Sequence, residues 1–177
     1  MFIFIGLGNP GTNYQNNRHN VGQMLIDYLA KNLKSQNENI KFFKTDCFMN
    51  QSGKAVKKII ENCLSLEARK AKGDKLKIEN LIILHDDLDI PLGKFKIQKG
   101  IGPKLHNGIK SIEQELKTKD FWRVRIGVDN RKPENHISGE VYVLQDFLPE
   151  EKELLTNEVF PAIKEKINRI FLSNQSY

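Results

Sequence analysis

The sequence predicts an α/β fold. Short apolar runs of strand type, continuous at residues 2–5 and 81–84 and interrupted by Arg125 at 124–128, alternate with longer stretches whose apolar residues recur at helical spacing. The run at 2–5 empties into a glycine-rich turn and the run at 81–84 into acidic residues, the pattern of strands that end at a functional edge. At 177 residues the chain is long enough for one sizeable core, and a single domain over 1–177 is expected.

Each element has its own warrant. Phe2 to Ile5 is bounded by Gly6, and Gly8 and Gly11 follow with Pro10 among them; such a turn brings backbone close to a ligand because glycine has no Cβ. After the polar segment ending in Arg18, His19 and Asn20, the residues Met24, Leu25, Tyr28, Leu29 and Leu33 make one helical face. Residues 35–39 are of linker type, and 40–43 read as a short strand. Ser52 opens a second helix with Val56, Ile59, Ile60 and Leu64 on one side. Residues 67–77 carry Arg69, Lys70, Lys72, Lys75 and Lys77 around Gly73 and read as a solvated loop. Pro91-Leu92-Gly93 is a turn, and 94–98 alternates Phe95 and Ile97 with polar residues, a strand with one wet face. A glycine-bearing loop, 100–108, precedes a helix carrying Ile109, Ile112 and Leu116. Residues 139–144 read as a short extended or packing segment, and the chain closes in a helix from about Pro149.

A hydrophobic fraction of 39% and a charged fraction of 28% suit a soluble globular protein, and no apolar run approaches the roughly 18 residues of a membrane span. No secretory signal is read at the N-terminus. Cys47 and Cys63 are too few for a disulfide framework and lack metal spacing, so buried thiols and a cytoplasmic setting are expected. The net charge of +6 permits a polyanionic partner such as nucleic acid, although a generally basic surface would give the same number.

The chemistry-bearing residues gather at strand ends and helix starts: Asn9 and His19, then Asn50, then Asp86, then His106 and Asn107. A histidine backed by a carboxylate is the usual general base at neutral pH, and asparagine amides orient a carbonyl or donate to a developing oxyanion. No serine or cysteine stands in a nucleophile elbow, which leaves water as the economical nucleophile. Three other readings compete. Gly6, Gly8 and Gly11 satisfy the dinucleotide-binding G-x-G-x-x-G spacing, but about seven polar residues precede the helical pattern and no acidic residue closes a second strand. His85, Asp86, Asp87 and His106 could ligate a metal, without any supporting spacing. Each polar residue could also be a cap, a turn residue or a structural ion-pair partner.

At these residues the chain resembles the bacterial peptidyl-tRNA hydrolase family. The matching pieces, in the family's order, are GLGNPG (6–11) with Tyr14, RHNVG (18–22), FMNQSGKAV (48–56), HDDLDIPLGK (85–94), HNGIKSI (106–112), FWRVRIGV (121–128) and YVL (142–144). Seven ordered motifs outweigh one glycine fingerprint. The resemblance implies a mixed sheet flanked by helices on both sides, in a monomer that needs no metal or other cofactor. It implies hydrolysis of the ester between peptide and tRNA, with His19 as the base and Asp86 orienting it. Asn9 and Asn107 would hold the peptide end, Asn50 would position the reacting group, and Tyr14, Met49 and His106 would line the cleft. Arg125 and Lys104 would contact tRNA phosphate. A non-catalytic RNA-binding relative of the same fold is the alternative. The chain departs from the family in lacking about twenty residues before Ile40, which implies a smaller sheet. It also carries an insertion at 67–77, and it replaces a glycine-rich run with Gly102-Pro103-Lys104-Leu105, which implies a stiffer loop over the substrate.

Overall fold

A computed structural model describes residues 1–33, 40–69, 78–132, 134 and 136–173. Five strands form one sheet in the order β2-β1-β3-β5-β4: β1 (Phe2–Gly6), β2 (Ile40–Lys44), β3 (Leu81–Pro91), β4 (Phe95–Lys99) and β5 (Trp122–Asp129). β1 runs parallel to β2 and β3, and β3 parallel to β5; β4 alone pairs antiparallel, on β5. The sheet is therefore mixed, and helices cover both faces. Helix α1 (Val21–Leu33) and the C-terminal helices pack on Phe4, Leu84 and Val124, whereas α2 (Ser52–Arg69) and α3 (Asn107–Leu116) pack on Ile3, Ile5 and Ile83. The central strands are apolar on both sides for this reason, which is why residues 2–5 and 81–84 read as continuous rather than alternating runs.

The strand at Leu81 is longer than its apolar stretch. It continues through His85-Asp86-Asp87 to Pro91, with a register irregularity against β5 after Asp87. Charged residues remain in a central strand here because each finds a buried partner, described below. Helix α2 extends to Arg69, into the segment expected to be loop, and Leu64 lies on its exposed side while Cys63 is buried. Residues 35–39, and 70–77 of the expected insertion, lie outside the described residues.

The segment at 139–144 is helical, not extended: α4 (Gly139–Val143) buries Tyr142 and Val143 and leaves Val141 and Leu144 exposed. Short apolar runs are ambiguous by periodicity alone, and packing decided this one. The final helix is interrupted. α5 (Pro149–Leu154) and α6 (Phe160–Ile167) are joined by a wider π turn at Leu155–Val159, and a second π turn follows at Asn168–Leu172.

One close approach sets the level of α1 on the sheet. A Cβ on Gly22 would lie 2.2 Å from the Leu84 carbonyl oxygen, and one on Gly6 would lie 2.4 Å from the Gly22 carbonyl oxygen. Leu7 N–H donates to the same Leu84 carbonyl at 2.9 Å. The start of α1, the end of β1 and the middle of β3 meet at backbone contact, and the polar turn before α1 is held close to β3 just before Asp86.

Candidate active site

His19 lies in a 3-10 turn, Arg18–Asn20, immediately ahead of α1. Asp86 lies in β3, two residues past the Leu84 carbonyl that Gly22 abuts. Their side chains meet: His19 Nδ1 is 2.8 Å from Asp86 Oδ1. The same oxygen is 3.0 Å from His106 Nε2. His106 is the N-cap of α3, and its Nδ1 accepts from the backbone N–H groups of Gly108 and Ile109, at 3.1 and 3.2 Å. That fixes a proton pattern. With Nδ1 of His106 an acceptor, its Nε2 carries the hydrogen and donates to Asp86. His19 likewise donates through Nδ1, so its Nε2 lone pair is the one left for the cleft.

Electrostatics follows from burial and pairing. Burial disfavours the His19 imidazolium, but the charge and hydrogen bond of Asp86 outweigh it and raise the pKa above the ordinary 6.5. Burial disfavours the Asp86 carboxylate, and the two facing imidazoles prevail, holding it well below its usual range. His85 is different. It is fully buried, donates through Nδ1 to the Asp86 carbonyl at 2.6 Å, and leaves Nε2 without a partner. Burial, with His106 nearby, pushes its pKa far down, so it is neutral. The three rings form a file, His19 to His106 at 5.0 Å and His106 to His85 at 4.9 Å between centroids.

A cleft of about 560 Å³ opens above the pair. Its polar lining includes Asn9, Asn50 and Asn107 along with His19, Asp86 and His106; its apolar lining includes Phe48, Met49, Leu88, Leu105 and Leu144. Asn9 is the most firmly held. Its Oδ1 accepts from Met49 N–H at 2.9 Å, and its backbone N–H and carbonyl are both bound by the Asn20 side chain at 2.9 Å. With Oδ1 occupied, the Asn9 amide nitrogen is the group left to donate. Asn50 and Asn107 are exposed at the starts of the turn before α2 and of α3.

Of the expected site residues, Asn9, His19, Met49, Asn50, Asp86, His106 and Asn107 are brought together around the cleft, and Tyr14, Arg125 and Lys104 are not part of its lining. Tyr14 does not line the cleft; its ring meets the edge of Phe48, which does, at 6.4 Å. Arg125 is buried on the sheet, its Nε 2.6 Å from Asp87 Oδ2 and its Nη1 3.0 Å from Gln98 Oε1. This burial leaves little of the guanidinium for the expected tRNA phosphate contact, since the side chain is 7% exposed and two of its three nitrogens are bound within the sheet. The Lys104 side chain is exposed, and its backbone N–H is tied to Asp89 Oδ2 at 2.8 Å. Sequence reasoning missed Asn20, although it sits in the quoted RHNVG run, and missed the buried pair Arg18–Glu151 at 2.6 Å. That pair, 133 positions apart, anchors the turn bearing His19 to the start of α5; Arg18 also stacks on Tyr142 at 4.3 Å. Nothing in local sequence signals such a pairing.

Among the described residues, one group of metal-ligand type converges: His19, Asp86 and His106, with ligand atoms within 4.8 Å of one another. It is not the set read from the sequence, since Asp87 faces Arg125 and His85 Nδ1 is spent on backbone. In this group two ring N–H bonds point at Asp86, so a cation would have to displace both protons.

Comparison with known proteins agrees with the geometry. The family model described as peptidyl-tRNA hydrolase matches residues 3–176. The peptidyl-tRNA hydrolase of Aliarcobacter butzleri is 39% identical, with 96% of this chain and 90% of that protein covered. The Campylobacter curvus peptidyl-tRNA hydrolase is 38% identical, with 98% and 92% covered. The crystal structure of peptidyl-tRNA hydrolase from Acinetobacter baumannii shares the fold with a TM-score of 0.75 at 23% identity, over 95% of this chain and 87% of that one. With a family match running almost end to end and relatives this similar over nearly their whole lengths, the chain belongs to the peptidyl-tRNA hydrolase family.

Proposed function

We propose that this protein hydrolyses the ester joining peptide to tRNA in peptidyl-tRNA, with a water activated by His19. The observation that carries the reading is the His19–Asp86–His106 arrangement at the floor of the cleft. His19 Nε2 takes a proton from water as the water oxygen attacks the ester carbonyl. Asp86 holds the ring in the required tautomer and stabilises the imidazolium that forms. On collapse of the tetrahedral intermediate the imidazolium returns the proton to the departing ribose oxygen. The products are a peptide with a free carboxyl group and free tRNA.

The free amide nitrogen of Asn9 supports a donor's role at the ester carbonyl, where charge develops. Asn107, on the cleft lining, is assigned to the peptide end, and Asn50, on the same lining, to positioning the reacting group or the water. His106 acts on the chemistry through Asp86: its capped Nδ1 keeps Nε2 a donor, and the carboxylate stays ionised and aimed. The net charge of +6 and the exposed ammonium of Lys104 suit a tRNA backbone, which is gripped by cations without reading sequence. Tyr14 is assigned to the cleft only through Phe48. We further propose a single domain acting as a monomer in the cytoplasm, without a metal. Among the described residues no helix is long and apolar enough to cross a membrane.

The test is incubation with an N-blocked aminoacyl-tRNA while free tRNA is followed. Release that depends on His19 supports the reading. Tight tRNA binding with no release by the wild-type chain would favour a non-catalytic RNA-binding role.

A further inference from the structure

Leu105 has no structural task that accounts for its position. It is 91% exposed, the most exposed of the large apolar residues in the described chain. It directly precedes His106, the N-cap of α3, where an apolar residue commonly packs on the fourth helical residue and fixes the helix entry. That residue here is Lys110, exposed and unable to serve as such a partner. Leu105 instead lines the cleft, together with Leu88 of β3 and Leu144 after α4. Leu144 is itself 47% exposed, and Phe48 on the same cleft is 53% exposed. Exposed apolar surface concentrated around a cleft marks a binding surface.

The loop that carries Leu105 is tied down. Gly100, at φ 72°, donates its N–H to the Phe121 carbonyl at 3.1 Å, and Lys104 N–H is held by Asp89 at 2.8 Å. Pro103 fixes its own φ between these anchors. Leu105 is thus presented from a restrained backbone, one residue from the imidazole that holds Asp86.

Resting on the hydrolase reading above, we propose that Leu105 is a specificity-determining residue. With Leu88 and Leu144 it forms an apolar wall that receives the side chain of the amino acid esterified to tRNA, and it favours large apolar residues there. That side chain branches from the carbon bonded to the reacting carbonyl, so a wall beside His106 meets it first. Polar groups at the cleft floor hold the ester, and the wall reads what the floor does not.

The experiment uses one tRNA charged with N-blocked glycine, aspartate, leucine or phenylalanine. The wild-type protein is expected to prefer the leucyl and phenylalanyl esters over the glycyl ester by roughly tenfold or more in kcat/KM, the scale set by one or two apolar groups in a pocket. Leu105→Asn should shrink that preference several-fold, through loss of kcat/KM on the leucyl and phenylalanyl esters that exceeds any change on the glycyl ester. Leu105→Met should retain it, and equal melting temperatures exclude a folding effect. The inference is overturned if the preference survives Leu105→Asn. It is equally overturned if the variant loses activity on all four esters alike, because the wall would then serve the tRNA end. Hydrolysis of the glycyl ester by the wild type keeps these outcomes separate from failure of the hydrolase reading, which would remove both.

Discussion

Replacing Asp86 with asparagine separates the charge of that residue from its shape. The asparagine amide can still accept from His19 and His106 through its carbonyl oxygen, so the cleft should keep its geometry. What is lost is the negative charge facing a developing imidazolium. The contact is 2.8 Å between heavy atoms, which puts the charge centres about 4 Å apart; at an effective dielectric constant of 20 their attraction is ~4 kcal/mol. If roughly half the charge has developed at the transition state, ~2 kcal/mol is lost, about a 30-fold drop in kcat/KM. The pH profile is the sharper readout. In the wild type the neutral His19 is the active form, so kcat/KM should rise with pH through an inflection above 6.5. In Asp86→Asn only burial remains, which lowers the pKa, and the inflection should fall below 6.5. The deficit should therefore be full at alkaline pH and narrow in acid. Stability adds an independent check. His19, with its raised pKa, contributes stability fully present below 6.5 and lost as pH rises through the raised value. Asp86, with its lowered pKa, contributes stability present above 3.8 and lost as pH falls from there toward its folded value. The difference in denaturant midpoint between wild type and variant should be largest between those two pH values. An inflection that stays put in Asp86→Asn, or a wild-type inflection below 6.5, would refute the assignment of Asp86 as the electrostatic partner of the base.

His19→Ala should lower kcat by ~10²–10⁴-fold, the usual contribution of a general base, with the fold retained; turnover near the wild-type rate would remove His19 from the mechanism. Dialysis against EDTA should leave activity unchanged, whereas added Zn²⁺ should inhibit by competing for His19, Asp86 and His106; loss on chelation restored by a divalent ion would reverse the metal assignment. Arg125→Ala should destabilise by about 3–5 kcal/mol, because it leaves the Asp87 carboxylate buried without its cation. It should affect tRNA substrates and small esters alike; a flattened salt dependence confined to tRNA would instead give Arg125 a phosphate contact.

Local pattern carried most of the fold. β1 and the start of β3 announced themselves as unbroken apolar runs because helices cover both faces of the sheet, and the helices by the recurrence of residues such as Leu25, Leu29 and Leu33. Residues 139–144 went astray because five or six residues cannot display a period. The true end of β3 was hidden because Asp86 and Asp87 look like a loop until their partners, 20 to 67 positions away, are in place. The candidate site was legible as a set of residue types at strand ends. Its wiring was not: that Asn20 holds Asn9, that Glu151 holds Arg18, or that Arg125 turns inward depends on long-range placement.

The contact between Gly22 and the Leu84 carbonyl acts as a spacer gauge for the chemistry above it. Gly22 lies three residues from His19, and Leu84 two from Asp86, so the distance between the helix start and this point of β3 is handed on to the imidazole and the carboxylate. Any side chain at position 22 begins with a Cβ that would sit 2.2 Å from that oxygen, and relieving it means lifting α1 by about 1 Å. A displacement of that size in a catalytic arrangement is worth on the order of a hundredfold in rate. A hydrogen atom in place of a methyl group thus sets the spacing of His19 and Asp86, and position 22 bears on the proposed chemistry although it presents no reactive group.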